Sequence, residues 1–198
     1  MSPPVAVAIT GGIGAGKSTA LECFRRHGAA TVSSDEIVHH LLATDPEVRR
    51  KLVERLGEEI LGDDGAPDRE RIAIRVFKDR EALDFLEKLL HPLVSREYMT
   101  WRDQLAALPN PPAVCVTEVP LLYEVGADER FDKVVVITAP QKLREARRGG
   151  WHDDREARLV ADREKAKRAD FTYVNTGTPD ELDAWVAGVM ATLTGAAL

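Results

Sequence analysis

With 198 residues, 44% of them apolar, the chain is long enough for one globular domain that has a sizeable core and an inserted lobe. Its 27 basic residues are mixed among 33 acidic ones for a formal charge of −6, which argues against a nucleic-acid surface and predicts local binding of any anionic ligand. Because the N-terminus lacks a signal-peptide pattern and no apolar stretch reaches membrane-spanning length, we expect a cytoplasmic protein with no membrane partner.

The first elements along the chain predict a nucleotide-binding unit. Residues 5–10 form a short, nearly continuous apolar run, which is typical of a parallel strand buried on both faces. The octapeptide 11–18 matches the phosphate-binding loop pattern G-x-x-x-x-G-K-[ST]. Leu21 and Phe24 then share one helical face, and Gly28 is a helix stop. Because strand, glycine loop and helix follow in the order that the motif requires, we predict that the loop binds a nucleoside triphosphate.

The residue types of this loop suit a polyphosphate. Glycines allow consecutive backbone N–H groups to face the phosphates, Lys17 reaches the terminal phosphates, and the Ser18 hydroxyl can ligate Mg²⁺. The predicted nucleotide-binding residues of the loop are Gly12, Ile13, Gly14, Ala15, Gly16, Lys17, Ser18 and Thr19.

A helical insertion follows the second predicted strand. Residues 30–34 have strand character, and Asp35 stands at their carboxyl end, where open α/β sheets bind their ligands. From residue 36 to residue 111 strand patterns are absent, and the capping signals predict at least three helices. Pro92 either kinks one of these helices or begins another.

The core then resumes. The segments 113–118 and 133–138 are rich in β-branched residues and predict further strands of a parallel sheet. Residues 141–168 are polar and strongly charged, with too few large apolar side chains to pack deeply. A short strand at 171–174 and a last helix capped by Thr178 complete the predicted order.

Taken together, these motifs resemble the dephospho-coenzyme A kinase family over nearly the whole chain. The matching segments are the loop Thr10–Thr19, Asp35, the stretch from Asp64 to Arg69, His91-Pro92, Pro120–Glu124 and Asn175–Gly177. The resemblance implies ATP-dependent phosphorylation of the ribose 3′-hydroxyl of dephospho-coenzyme A, the last step of coenzyme A synthesis, with ATP and Mg²⁺ as cofactors. It also implies an α/β fold with a single kinase domain over residues 1–198. Within it we expect a three-layer P-loop core on a parallel β-sheet, a helical substrate-binding insertion at 36–111 and a lid at 141–168.

Phosphoryl transfer suggests roles for two acidic residues, because it needs charge neutralisation, in-line positioning and an acceptor hydroxyl near a carboxylate. We predict that Asp35 contacts the acceptor hydroxyl, either as a base or as an orienting hydrogen-bond partner. The alternative is that Asp35 caps the helix that begins at Glu36. Glu118, at the end of the third strand, is expected to reach Mg²⁺ through water or to hold the loop. Its alternative is a glutamate at the edge of the core, paired with a lysine.

Arginines of the 141–168 segment resemble the family's lid arginines, which fold over the ATP phosphates. They are Arg144, Arg147 and Arg148, and a solvated helix face is the alternative. The predicted catalytic set is Lys17, Asp35, Arg144 and Arg148. The segment Ala157–Ala169 departs from the family, because it is shorter than usual and has Ala161-Asp162 in place of an expected glutamine.

The predicted substrate contacts are His91, Pro92, Leu121 and Leu122, which suit a pocket for the adenine or pantetheine part. A structural hydrogen-bonding role is the alternative for His91. By the resemblance, Asn175 contacts the ATP base, and a loop-stabilising asparagine is equally consistent with the sequence.

Other functional classes are less compatible with the chain. Another small-molecule kinase, acting on nucleosides or nucleoside monophosphates, would share the loop, lid and insertion, and only the substrate lobe would distinguish it. A GTP-dependent switch would need D-x-x-G and N-K-x-D, and a transporter-type ATPase would show S-G-G-Q; none of these strings occurs. We expect a small-molecule substrate as the partner, with no nucleic acid and no obligate protein partner.

Overall fold

The computed structural model describes residues 3–77, 79–149 and 159–195, and the chain divides into two compact units. A core unit contains the two segments 1–33 and 102–198, and a helical unit contains Ser34–Trp101. Residues 150–158, in the middle of the predicted lid, lie outside the described residues.

The core unit is built on a parallel sheet. Its strands are β1 (Val5–Thr10), β2 (Ala30–Ser33), β3 (Val114–Glu118), β4 (Lys133–Thr138) and β5 (Phe171–Val174). Within the described residues they are arranged in the order β2-β3-β1-β4-β5, and every neighbouring pair is parallel. The register sets Glu118 opposite both Ile9 and Ser33. The carboxyl ends of three strands therefore meet at one edge of the sheet.

Apolar clusters cover both faces of this sheet. Successive strand side chains point to opposite faces, so Val7 and Ile9 pack in one cluster, while Ala8 packs in the other. The first cluster includes helices α1 (Lys17–Arg26) and α8 (Pro179–Thr194), through Phe24 and Val186 among others. This arrangement confirms the predicted α/β class with a parallel sheet and helices.

The helical unit has a core of its own. Its helices are α2 (Ser34–Thr44), α3 (Pro46–Leu56), α4 (Arg69–Phe77) and most of α5 (Arg80–Ala106). Buried apolar side chains from these helices form one cluster, which contains Leu42, Val48, Leu52, Ile72, Val76 and Leu90. The prediction of at least three helices in this part of the chain is confirmed.

The longest described helix contains the proline that sequence alone could not place. Pro92 lies inside the 27-residue α5 and does not begin a separate helix. A proline removes one intrahelical hydrogen bond, but Leu90 and Val94, which lie two residues before and after it in α5, are buried. No described helix, α5 included, is apolar enough over sufficient length to cross a membrane.

The remaining helices of the core unit are α6 (Gln141–Arg147) and α7 (Asp162–Arg168). Both are short and strongly charged, and Lys165 is the buried residue of α7. The last helix, α8, begins as predicted: the Thr178 hydroxyl accepts from the Glu181 N–H, and the Glu181 carboxylate accepts from the Thr178 N–H.

Candidate active site

The loop between β1 and α1 has a backbone that requires glycine. Gly11, Gly14 and Gly16 have φ values of 143°, 75° and 100°. A Cβ atom on Gly11 would lie 1.9 Å from the carbonyl oxygen of Ile137, so the loop leaves β1 in direct contact with β4. Only a residue without Cβ fits there, which explains the first glycine of the motif.

The lysine of the loop folds back over the loop itself. Nζ of Lys17 donates to the carbonyl oxygen of Gly12 over 3.1 Å, and the side chain is buried. Lys17 is also the first residue of α1, whose first turn contains no acidic side chain. Because helix N-termini have unpaired N–H groups and a partial positive charge, this end of α1 favours an anion.

A hydroxyl and a carboxylate meet beside the loop. Oγ of Ser18 donates to Oε2 of Glu118 over 3.3 Å, and Glu118 is buried at the end of β3. Oxygen ligands of this kind fit Mg²⁺, which in nucleotide enzymes takes few protein ligands and is completed by phosphates and water. The described residues hold no cluster of three or more histidine, cysteine or acidic side chains suited to a metal.

Arg144 of α6 and Asp162 of α7 converge on the second glycine of the loop. A Cβ atom at Gly12 would lie 2.7 Å from Nη1 of Arg144 and 3.0 and 3.2 Å from the two carboxylate oxygens of Asp162. Nε of Arg144 donates to the carbonyl oxygen of Ala139 over 3.1 Å, which directs the guanidinium towards the loop. A side chain at position 12 would displace the ends of both charged side chains.

Arg147 and Asn175 support the other end of the loop. Nδ2 of Asn175, a buried side chain, donates to the carbonyl oxygen of Ala15 over 2.8 Å. Arg147 donates to the Gly14 and Ala15 carbonyls from Nη1, at 3.4 and 3.3 Å, and to the Asn175 carbonyl from Nη2, at 3.1 Å. These contacts suit a loop-stabilising asparagine, the second of its two predicted roles.

Arg147, which is among the lid arginines expected from the sequence but not in the predicted catalytic set, contacts the loop. Arg148 donates from Nε to the carbonyl oxygen of Arg144, within its own segment, whereas Arg147 contacts the loop. Positions three and four residues after Arg144 both lie on its helix face, so the sequence spacing did not separate Arg147 from Arg148.

In the helical unit, α2 begins at Ser34, so Asp35 lies inside its first turn and not before it. Its side chain is 77% exposed, and its Oδ1 is 4.0 Å from Nη2 of Arg69, a residue of the Asp64–Arg69 motif stretch. The carboxylate is therefore open to solvent and close to one cation.

The predicted substrate residues differ in exposure. His91 lies within α5, where burial lowers the pKa of its imidazole more than the nearby Glu87 carboxylate raises it. Leu122 is fully buried and packs in the cluster beneath the sheet, whereas Leu121 is partly exposed. Of the two leucines, Leu121 is the one with accessible surface.

A buried ion pair joins the segment after β3 to α7. Nζ of Lys165 lies 2.9 Å from Oε1 of Glu124, and the two side chains are 0% and 13% exposed. Oε1 also accepts from the Val160 N–H over 2.9 Å. Glu124 was identified from the sequence only as part of a motif. Lys165 was missed, because the sequence of α7 is typical of a charged helix that is exposed to solvent.

These features define a kinase of the P-loop class: a glycine loop on the central strand of a parallel sheet, its lysine and hydroxyl, and arginines of a charged segment against the loop. Comparison with known proteins narrows the class. Residues 5–181 match the family model described as dephospho-CoA kinase. The dephospho-CoA kinase of Protochlamydia amoebophila is 38% identical over 89% of this chain and 90% of its own length.

Two further proteins agree with that match. The dephospho-CoA kinase of Anaeromyxobacter dehalogenans is 37% identical over 96% of this chain and 92% of its own length. The crystal structure of TT1252 from Thermus thermophilus superposes with a TM-score of 0.76 at 32% identity, covering 98% of this chain and 100% of that one. The chain belongs to the dephospho-CoA kinase family, and as a P-loop kinase it uses ATP.

Proposed function

We propose that this protein transfers the γ-phosphoryl group of ATP to the ribose 3′-hydroxyl of dephospho-coenzyme A, giving coenzyme A and ADP in the cytoplasm. The observation that carries the proposal is a match to the dephospho-CoA kinase family over residues 5–181 that includes a complete phosphate-binding loop.

The loop and its basic neighbours neutralise the charge of the triphosphate. The buried Lys17 ammonium and the N-terminus of α1 act on the phosphates from the loop, and Arg144 acts from α6. Arg147 and Asn175 act indirectly, because they hold the carbonyls of Gly14 and Ala15 and thereby the loop's shape. Arg148 has a supporting role, because its Nε–H donates a hydrogen bond to the Arg144 carbonyl oxygen. Ile13 and Thr19 complete the nucleotide-binding stretch.

Ser18 and Glu118 are the residues that we propose to hold Mg²⁺. A Mg²⁺ ion held by these residues would supply positive charge that offsets the charge developing on the phosphates. The hydroxyl of Ser18 is suited to direct ligation, and Glu118, now its hydrogen-bond acceptor, is suited to contact through water.

Asp35 is the proposed partner of the acceptor hydroxyl. It follows the end of β2, at Ser33, by two residues, and Ser33 is in register with Glu118. An exposed carboxylate in this chain position is available to accept the proton of the ribose hydroxyl, or to orient it for in-line attack. His91, Pro92, Leu121 and Leu122 are the residues that we propose to contact the acceptor.

The experiment that tests the function measures Mg²⁺-dependent ADP formation from ATP with five acceptor conditions: dephospho-coenzyme A, adenosine, AMP, pantothenate and none. Product masses are determined in parallel. Selective formation of coenzyme A supports the proposal. If another acceptor were phosphorylated selectively, the proposed substrate would be wrong but the protein would still be a kinase. If ATP were hydrolysed equally without any acceptor, the proposed phosphoryl transfer would be wrong.

Two variants test the proposed roles of the acids. Asp35→Asn should lower kcat by about 10²–10⁴-fold in a protein that still binds ATP, which is the usual contribution of general acid–base catalysis. Glu118→Gln should raise the Mg²⁺ concentration needed for half-maximal rate. Wild-type turnover in the first variant, or an unchanged Mg²⁺ requirement in the second, would remove that role. The exposed variant Glu54→Gln, on α3, is the matched control for a lost carboxylate.

A further inference from the structure

The hydroxyl of Thr10 joins the last residue of β1 to the segment that follows β3. Its Oγ1 donates to the carbonyl oxygen of Pro120 over 3.2 Å, and Thr10 is fully buried. One residue earlier in each segment, the Val119 N–H donates to the carbonyl oxygen of Ile9 over 2.8 Å. A backbone bond and a side-chain bond, one directly after the other, therefore hold these two parts of the chain together.

The two ends of the Thr10–Pro120 bond adjoin different parts of the proposed reaction. Thr10 directly precedes Gly11, the first residue of the phosphate-binding loop. Pro120 directly precedes Leu121, the partly exposed leucine that we propose to contact the acceptor. The bond thus links a residue next to the ATP-binding loop with a residue next to an acceptor contact.

The segment after Pro120 is a turn that closes on itself. The Val125 N–H donates to the Leu121 carbonyl oxygen over 3.1 Å, and the Ala127 N–H donates to the Leu122 carbonyl oxygen over 2.9 Å. These bonds fix the shape of the turn but not its distance from β1. The Thr10 hydroxyl acts on that distance, together with the packing of the fully buried Leu122.

We infer that Thr10 is a positioning residue for the acceptor: through Pro120, its hydroxyl sets Leu121 at a fixed distance from the phosphate-binding loop. The inference rests on the proposed function and extends it to a residue outside the predicted site. Thr10 has no exposed surface and its hydroxyl is engaged, so it acts through Pro120 and not by touching substrate. In-line transfer depends on the placement of the acceptor, since a misplacement of about 1 Å can cost about 10²-fold in rate.

Kinetics separate this role from a general structural one. Thr10→Val keeps the shape of the side chain and removes the bond, so we expect the KM for dephospho-coenzyme A to rise by about 10-fold while the KM for ATP stays within about two-fold of wild type. Thr10→Ser keeps the hydroxyl and should restore most of the wild-type value. In a Leu121→Ala background, Thr10→Val should raise the KM for dephospho-coenzyme A no further, because both residues act on one contact.

Thr117→Val is the matched control. Thr117 pairs with Ala8, two residues before Thr10, so both threonines point to the same face of the sheet. Thr117 is 1% exposed, and its Oγ1 has no hydrogen-bond partner within the part of the chain that the structure describes. The same substitution there removes no such bond, and both KM values should remain those of wild type.

A readout without substrates completes the test. The amide protons of Val125 and Ala127, which close the turn, should exchange with solvent about 10-fold faster in Thr10→Val than in wild type or Thr117→Val. Unchanged exchange, an unchanged KM for dephospho-coenzyme A, an equal rise in the KM for ATP, or a Thr10→Ser variant that behaves like Thr10→Val would each overturn the inference. A wild-type protein that fails to phosphorylate dephospho-coenzyme A would instead overturn the proposed function, and the exchange rates would still report whether Thr10 holds the turn.

Discussion

Asn175 and Ala15 are 160 residues apart in the chain, and the Asn175 side chain nevertheless donates a 2.8 Å hydrogen bond to the Ala15 carbonyl oxygen. The same amide nitrogen would lie 2.3 Å from a Cβ atom at Gly16, so it occupies the place of a side chain on the loop. Asn175, the residue after β5, therefore supports the phosphate-binding loop.

Asn175→Ala should therefore loosen the loop. We expect the free energy of unfolding to fall by about 0.5–1.5 kcal/mol, because the Ala15 carbonyl loses the closer of its two donors and keeps Arg147, and the KM for ATP to rise by about 10-fold. Urea unfolding and initial rates measure the two effects. Thr176→Ala, at the exposed neighbouring position, is the control, and an Asn175→Ala protein with the wild-type KM would show that the loop holds its shape without this contact.

Gly11 and Gly28 provide a matched pair of left-handed glycines. At Gly28, φ is 90° and an added Cβ meets nothing within 4 Å, so Gly28→Ala should cost only the backbone strain of about 1–2 kcal/mol. At Gly11 the added Cβ also collides with the Ile137 carbonyl, and Gly11→Ala should cost about 2–5 kcal/mol and abolish ATP binding. Thermal unfolding and calorimetric titration with ATP measure both. An equal loss of unfolding free energy in the two variants would show that the collision with the Ile137 carbonyl does not destabilise the protein.

The Lys165–Glu124 pair should show the asymmetry of a buried ion pair. Glu124→Gln leaves a buried ammonium without its counter-charge, and we expect a loss of about 3–5 kcal/mol in the free energy of unfolding. Adding Lys165→Met removes that uncompensated charge at similar volume, so the double variant should recover most of the loss. Chemical denaturation of the single and double variants measures this, and a double variant less stable than Glu124→Gln would rule out the explanation.

Asp170 should contribute stability that depends on pH. Burial raises the pKa of its carboxyl, but hydrogen bonds from Lys133 and from the Val134 N–H, both 2.8 Å, outweigh burial and hold the pKa below its ordinary value of 3.8. A pKa that is lower in the folded state stabilises the protein above the unfolded value, and this contribution is lost as the pH falls through the folded value.

The corresponding variant is Asp170→Asn. At about pH 7 it should be less stable than wild type by about 1 kcal/mol, since the site is partly solvated and its ion pair is screened. The difference should shrink as the pH falls below the ordinary carboxyl pKa of 3.8 and the wild-type carboxyl takes up a proton. Urea unfolding at neutral pH and at a series of acidic pH values tests this, and a constant difference would assign the effect to packing alone.

Local patterns were sufficient for the fold. The β-branched runs, the glycine loop and the cap at Thr178 each act within a few residues, and the structure has the strands and the last helix where those patterns predict them. Pro92 was ambiguous because a proline only weakens a helix, and packing of its apolar neighbours within the helical unit decides the outcome.

Long-range contacts limited what the sequence could say about the site. The sequence around Lys165 does not indicate burial, since all other residues of α7 except Ala166 are charged. The burial accompanies an ion pair with Glu124, which lies 41 positions earlier in the chain (165 minus 124). Arg147 was likewise indistinguishable from Arg148 until the helix phase of α6 was known. Roles that depend on a bound nucleotide or acceptor, those of Asp35 and His91 among them, stay predictions.

The strand order has a consequence for synthesis of the chain on the ribosome. β1 pairs with β3 and β4, and β2, the next strand to be made, is not its neighbour. The N-terminal strand that ends in the phosphate-binding loop consequently waits for residues 114–118 before it has any partner in the sheet, and the helical unit, with a core of its own, is complete sooner. A nascent chain released before that point contains the whole glycine motif and yet has no sheet on which to build a nucleotide site.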